Sequence, residues 1–231
     1  MPPLQSKRGR LDRFIAKTQQ IPLKAVKPLL AAQHIRVNHT VVRDGQQHIN
    51  EFDRIECQGN ILQDRTPVYL MLHKPIGVVC ATKDPQHRTV LDLIHHPKKH
   101  DLHIVGRLDL NTSGLVLLTN DSRWSQQLTL PSAKVSKRYH VQVKNPLDDR
   151  YVKAFAQGIY FKYENSVTAP VELTLTSPTT ADLVLTEGEY HQIKRLFGHF
   201  RNPVLALHRS RVGPYELDNS LAPGAYRVLV A

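Results

Sequence analysis

Gly106-Arg107-Leu108-Asp109-Leu110-Asn111-Thr112-Ser113-Gly114-Leu115-Val116-Leu117-Leu118-Thr119-Asn120-Asp121 is the stretch from which the rest of the chain can be read. A polar segment with one carboxylate, a hydroxyl pair and a glycine lies between two apolar runs, His103-Ile104-Val105 and Leu115 to Leu118, both patterned as buried strands. Asp109 is therefore expected in a loop held at both ends by a sheet. Such loops often carry reactive groups, because strands fix the geometry while the loop supplies unusual backbone. A carboxylate that only caps a turn would fit the same residues, so the residue types alone leave both readings open.

Working outward, Val68-Tyr69-Leu70-Met71-Leu72 is an unbroken apolar run, the pattern of a strand covered on both faces. It leads into His73-Lys74-Pro75-Ile76-Gly77, a stiff turn placed to brace the Asp109 loop, and then the expected strand Val78 to Ala81. Arg88 to Ile94 reads as a short helix with Val90, Leu93 and Ile94 inward. His95, His96, His100 and His103 gather around Lys98-Lys99, but only Asp101 stands near ligand spacing and Pro97 breaks any aligning helix, so no metal is expected. Downstream, Asp121 or Ser122 caps a helix carrying Trp124 and Leu128. Lys137 to Val143 alternates, giving Tyr139, Val141 and Val143 one face and Arg138 the other. Spacing alone makes Tyr139 a core aromatic. Asp148 to Gly158 reads as a helix with Val152, Phe155 and Ala156 inward. Residues 171–175 and 181–186 form a hairpin across Ser177-Pro178, and Ile193, Leu196, Phe197 and Phe200 mark an amphipathic helix with Lys194-Arg195 beside its apolar stripe.

At the front, Lys7-Arg8-Gly9-Arg10 opens a basic arm, and Leu11, Phe14, Ile15 and Thr18 share one helical face. A second helix after Pro22 would bury Leu23, Val26, Leu29 and Leu30 and leave Lys24 and Lys27 outside, with Pro28 kinking it or ending it early. Ile35-Arg36-Val37-Asn38-His39 reads as a strand entering a turn, Asp44-Gly45 as another turn, and Arg54 to Cys57 as a closing strand. Gln58 to Pro67, carrying Gly59, Asn60, Asp64 and Pro67, reads as a linker, and the expected division is a small basic module over 1–60, a linker over 61–67 and a larger domain over 68–231.

The 231 residues carry a net charge of +11, and the pI is near 9.8. Lysine and arginine gain affinity for a polyanion by displacing its condensed counterions. The excess is denser at the front: residues 1–66 hold 11 Lys and Arg against 6 Asp and Glu, whereas the other 165 hold 20 against 14. Two cysteines without CxxC spacing argue against a disulfide framework. With no apolar leader and no run near the roughly 18 apolar residues of a membrane span, a cytoplasmic protein is expected. Walker, dinucleotide, nucleophile-elbow and HExxH patterns are absent from the sequence.

The Gly106 to Asp121 string resembles the signature of pseudouridine synthases of the small-subunit ribosomal RNA type, the RsuA family, in which the Asp is catalytic. Other strings agree. His73-Lys74-Pro75-Ile76-Gly77 is similar to the family's Asn-Lys-Pro-x-Gly, with His73 in place of Asn. Lys137-Arg138-Tyr139 matches its Lys-x-Tyr, whose Tyr lies against the target base. Glu187 to Phe197 matches the motif that supplies a basic partner to the Asp, here Lys194. Arg10-Leu11-Asp12 and Arg36-Val37-Asn38 look like an S4-type RNA-binding domain, although His39 stands where that module usually has glycine.

The resemblance implies an α+β protein, a small S4-like domain followed by a catalytic domain with a mainly antiparallel mixed sheet flanked by helices. It implies isomerisation of a uridine in 16S ribosomal RNA without a cofactor or metal. Asp109 would either attack the anomeric carbon or remove a sugar proton. Tyr139 would stack on the uracil, Lys194 would pair with Asp109, and Arg107 would fill the stack left by a flipped base. RNA contacts are expected from Arg10, Lys24, Lys27, Arg36, Lys74, Arg107, Arg138, Gln192 and Arg195. The expected partner is 16S ribosomal RNA or a small-subunit assembly intermediate, met by a monomer with no membrane or nucleotide cofactor. The same reaction on 23S ribosomal RNA is the nearest alternative, and a non-catalytic ribosome-assembly factor is the alternative of another class.

Overall fold

A computed structural model describes residues 9–162 and 165–230; the Lys7-Arg8 part of the basic arm lies outside them. The chain divides after Pro67 into two compact units.

In the first, β1 (Gly9–Arg10) leads into α1 (Leu11–Gln19), which buries Leu11 and Ile15. The second helix, α2 (Val26–Ala31), is preceded by a 3-10 turn over Leu23–Ala25. Pro28 therefore falls in the first helical turn, where an N–H would have no partner within the helix, and the expected kink does not arise. Val26 and Leu30 face inward, but Leu23, expected to be buried, is exposed. β2 (Ile35–Val37), β3 (Thr40–Val41), β4 (His48–Ile49), β5 (Ile55–Cys57) and β6 (Asn60–Gln63) follow. The order β3-β2-β5-β6 makes one antiparallel sheet, and β4 pairs with β1. Residues 60–63 thus continue the sheet, where a linker was expected to begin. Gln58 and Gly59, both at positive φ (51° and 79°), form a two-residue turn into β6, so the Gly59-Asn60 signal belongs to a hairpin.

The β2–β3 turn is built the same way from Asn38 (φ 50°) and His39 (φ 67°). Asn38 fixes it by accepting from the Arg54 N–H and donating to Asp53. His39 holds a left-handed conformation that glycine adopts freely and a branched Cα does not. His39→Gly is expected to stabilise this unit by about 1 kcal/mol, read as slower hydrogen exchange at the amides of β2 and β5. Unchanged protection would mean that the imidazole contact to Arg54, at 3.0 Å, offsets the backbone strain.

The second unit runs β7 (Tyr69–Lys74), β8 (His103–Val105), β9 (Ser113–Thr119), α3 (Ser122–Thr129), β10 (Lys137–Val143), α4 (Asp149–Gln157) and the short hairpin β11 (Tyr160–Phe161) and β12 (Ser166–Val167). It continues with β13 (Glu172–Leu175), β14 (Thr180–Leu185), α5 (Gln192–His199), β15 (Val204–Val212), β16 (Tyr215–Glu216) and β17 (Tyr226–Val228). The sheet has the order β13-β14-β10-β15-β9-β7-β17, with β8 paired to β9 and β16 to β15. Its pairs are antiparallel except β9 with β15, so the fold is α+β with a mixed sheet.

Both faces of the central strands are covered, which is why their sequences are apolar without a break. Leu70, Leu72, Val116 and Leu118 join the core under α4 and α5, where Phe155, Leu196 and Phe197 are fully buried. The intervening Met71, Leu115 and Leu117 join a second cluster with Leu128 of α3. In α4 the inward position expected of Ala156 is taken by Tyr151. Val78 to Ala81 is not a strand: Gly77 (φ 82°) turns the chain off the line of β7, and only a single bridge, Val79 to Thr89, remains. Residues 90–93 are a 3-10 turn capped reciprocally by Thr89 and Asp92, with Val90, Leu93 and Ile94 buried.

Candidate active site

β8 and β9 hold the segment 106–112 from either side. Within it the Thr112 N–H donates to the Asp109 carbonyl at 3.1 Å, so the turn is closed by backbone and the carboxylate is left to face outward. Two residues fix this loop from beneath. Lys74, at the end of β7, is completely buried; its Nζ donates to the carbonyls of Thr112 (2.7 Å), Pro75 (2.9 Å) and Leu110 (3.4 Å). Burial holds this ammonium below the ordinary lysine range. Lys74 was expected to touch RNA; it is instead the internal brace of the loop, since three backbone carbonyls replace the water that an exposed ammonium would bind. The Gly77 N–H adds a bond to the Leu110 carbonyl at 3.0 Å.

The second brace is Arg209 of β15, only 1% exposed. Its guanidinium donates to the carbonyls of Gly106 (2.7 Å), Leu115 (2.9 Å) and Arg107 (3.4 Å), and to the Tyr139 hydroxyl at 3.4 Å. The planar fork suits this divergent set, which a lysine could not span. β9 and β15 cross so closely here that a Cβ on Gly114 (φ 111°) would sit 2.2 Å from the Arg209 carbonyl oxygen, so the position admits only glycine.

On this platform the Asp109 Oδ2 accepts from Lys194 Nζ at 2.9 Å and lies 3.4 Å from His191 Nε2. Lys194 projects from the first turn of α5. His191 is the residue before that helix and has a left-handed backbone (φ 50°, ψ 30°), a local strain of the kind concentrated at functional sites. The Asp109 and Lys194 side chains are each about one-third exposed, so the pair contributes on the order of 1 kcal/mol or less to stability. Its effect is to orient the carboxylate.

Asp109, Lys194 and His191 open into a cleft of about 850 Å³ whose wall includes Tyr139, Lys137 and Arg209, with Arg107 exposed at the edge. Tyr139 and Lys137 alternate with Arg138 along β10, which leaves Arg138 exposed on the other face of the sheet. Burial first, and then the nearby Arg209 cation, lowers the Lys137 ammonium below its ordinary range. Gln192, another expected RNA contact, is buried: its Nε2 donates to Glu187 at 2.8 Å and its Oε1 accepts from the Glu189 N–H at 3.2 Å. It ties down the segment before α5, because both ends of its amide are already satisfied. Arg195 lies 3.7 Å over the Phe161 ring. In the front unit Lys24, Lys27 and Arg36 are exposed, whereas Arg10 forks onto Asp12 at 3.1 and 2.5 Å.

His191, Lys137 and Arg209 are among the cleft residues to which the sequence alone assigns no role. His191 and Lys137 stood inside quoted motifs, and their chemistry was a usable signal. Arg209 stood in the string Leu207 to Gly213, which resembles the same family's tail, but its buried role had no local signal, since an arginine between strand positions normally reads as solvent-facing.

The family described as RNA pseudouridylate synthase matches residues 68–199. Curated relatives include proteins named ribosomal small subunit pseudouridine synthase A. That of Pseudomonas aeruginosa is 51% identical over 96% of this chain and 97% of its own length. That of Yersinia pestis is 40% identical over 95% and 94%. A solved structure described as a pseudouridylate synthase covers 96% of each chain at 35% identity with a TM-score of 0.69.

Proposed function

The chain belongs to the RNA pseudouridylate synthase family, and from that premise we propose that it isomerises a uridine of small-subunit (16S) ribosomal RNA to pseudouridine through Asp109. The reaction breaks the bond from uracil N1 to the sugar C1′, turns the base within the site, and joins C5 to C1′. The C5 proton leaves and N1 gains one, so no redox partner is required. The observation that carries the reading is one carboxylate, held by Lys194 beside His191, facing a cleft walled by a tyrosine. Asp109 acts at the ribose. Tyr139 holds the uracil face, with its hydroxyl fixed by Arg209, and Arg107 at the cleft edge fills the space left by the flipped nucleotide. The cleft walls reduce competition from water at the broken bond.

The small-subunit target is supported by the names of relatives that match almost end to end. The front unit, S4-like by its motifs, supplies phosphate contacts through Lys24, Lys27 and Arg36, adding affinity and orientation without chemistry. Among the described residues no helix is long and apolar enough to cross a membrane. The protein works as a cytoplasmic monomer on this RNA or on an assembly intermediate.

Transcripts of both ribosomal RNAs carrying tritium at uridine C5 test the reading. Tritium should be released from the small-subunit RNA and not from the large. Release from the large RNA alone would move the target, and binding without release from either would leave an assembly factor that does no chemistry.

A further inference from the structure

Beside the main cleft lies a smaller cavity of about 320 Å³, lined by Ile76, Asn111, Lys194 and the stretch 204–207. Its origin is topological. β15 meets β9 only at His208 opposite Ser113 and Arg209 opposite Gly114, so among the described residues the edge of 204–207 turned away from β10 has no strand against it. The 75–77 turn, tied to the Asp109 loop through Gly77 and Leu110, contributes Ile76 to the lining. Two aliphatic side chains of the lining stand open, Ile76 and Leu205, each 60% exposed. A single exposed aliphatic residue needs no explanation. Two in the lining of one cavity, beside a primary amide and an ammonium, make a compartment with both apolar and polar lining.

Lys194 and Leu207 line both this cavity and the main cleft, so the two spaces are neighbours along these side chains. An ammonium has three donors, and the bond to Asp109 uses one of them. A phosphate linking a nucleotide in the main cleft to a neighbour in the smaller cavity would pass beside these two residues. We propose that the smaller cavity receives the base of a nucleotide flanking the target uridine. Ile76 and Leu205 clasp its faces, Asn111 bonds its edge, and Lys194 meets the linking phosphate. The size, near the low end of small-ligand pockets at about 300–1,000 Å³, suits one nucleobase. Unstacked bases in single-stranded RNA are recognised by this combination of face contact and edge hydrogen bonding. The inference rests on the uridine-isomerising reading and adds to it a site for sequence preference next to the target.

The test pairs the double variant Ile76→Ser, Leu205→Ser with small-subunit transcripts made abasic at one or the other nucleotide flanking the mapped target. Both side chains are exposed, so the variant should match the wild-type melting temperature. On intact RNA its apparent KM for tritium release should rise about 10-fold with kcat within about 2-fold. Wild-type protein should lose the same factor on one abasic RNA, and the variant should lose nothing further there. Equal KM for variant and wild type, or losses that multiply independently, would overturn the proposal while leaving the reaction intact. Failure of the wild type to release tritium from any ribosomal RNA would overturn both.

Discussion

Asp109→Asn is expected to lower tritium release from C5-labelled small-subunit RNA by on the order of 10⁴-fold or more, with RNA affinity in filter binding changed by less than about 3-fold. The substitution keeps size and shape, and the loop does not depend on the carboxylate. Its turn is closed by the Thr112 N–H on the residue 109 carbonyl, and its underside is bonded to Lys74 and Arg209. What the amide loses is the negative charge that Lys194 orients from 2.9 Å, and with it both ways of acting at the sugar, attack on C1′ and removal of a ribose proton. Turnover near the wild-type level would remove Asp109 from its role. A parallel collapse of binding would show that the side chain serves to shape the RNA surface.

Arg209→Met should be the most damaging substitution that leaves every cleft-opening ion pair in place. Three backbone carbonyls and the Tyr139 hydroxyl lose a donor that is itself only 1% exposed. A buried group left unpaired costs about 1–3 kcal/mol, and the added methionine packing recovers part of the total, so a net destabilisation of about 3–5 kcal/mol is expected. It should appear as a lower urea midpoint at unchanged m-value, together with tritium release from the folded fraction reduced at least about 100-fold. Arg209→Lys should fall between, because a single ammonium cannot reach the Gly106 and Leu115 carbonyls at once. An unaltered midpoint in the methionine variant would mean that Lys74 and the Gly77 N–H hold the loop without Arg209.

Much of the second unit was legible because periodicity records burial. The strict alternation of Lys137 to Val143 and the unbroken run at 69–72 both correspond to strands whose faces match the pattern. The segment 106–121 was readable as strand, loop, strand for the same reason. Polar residues used internally were not readable. Lys74 and Gln192 belong to types that normally seek water, and only the folded chain reveals that carbonyls and Glu187 have replaced it. Arg209 was hidden by the same logic. Residues 58–60 were misread because glycine and asparagine serve both linkers and two-residue hairpins. Only the partner strand, β5, tells them apart. Pro28 was read as a breaker because its place relative to the helix start depends on a 3-10 turn that no local signal announced.

Sequencing of carbodiimide-treated ribosomal RNA after incubation with the purified protein tests the central claim most directly, because the adduct that survives alkali marks pseudouridine at single-nucleotide resolution. With wild-type protein one new stop should appear in the 16S RNA, none in the 23S RNA, and the Asp109→Asn protein should leave the 16S position unmarked. A lane without any new stop, or the same stop made by the Asp109→Asn protein, would contradict the account.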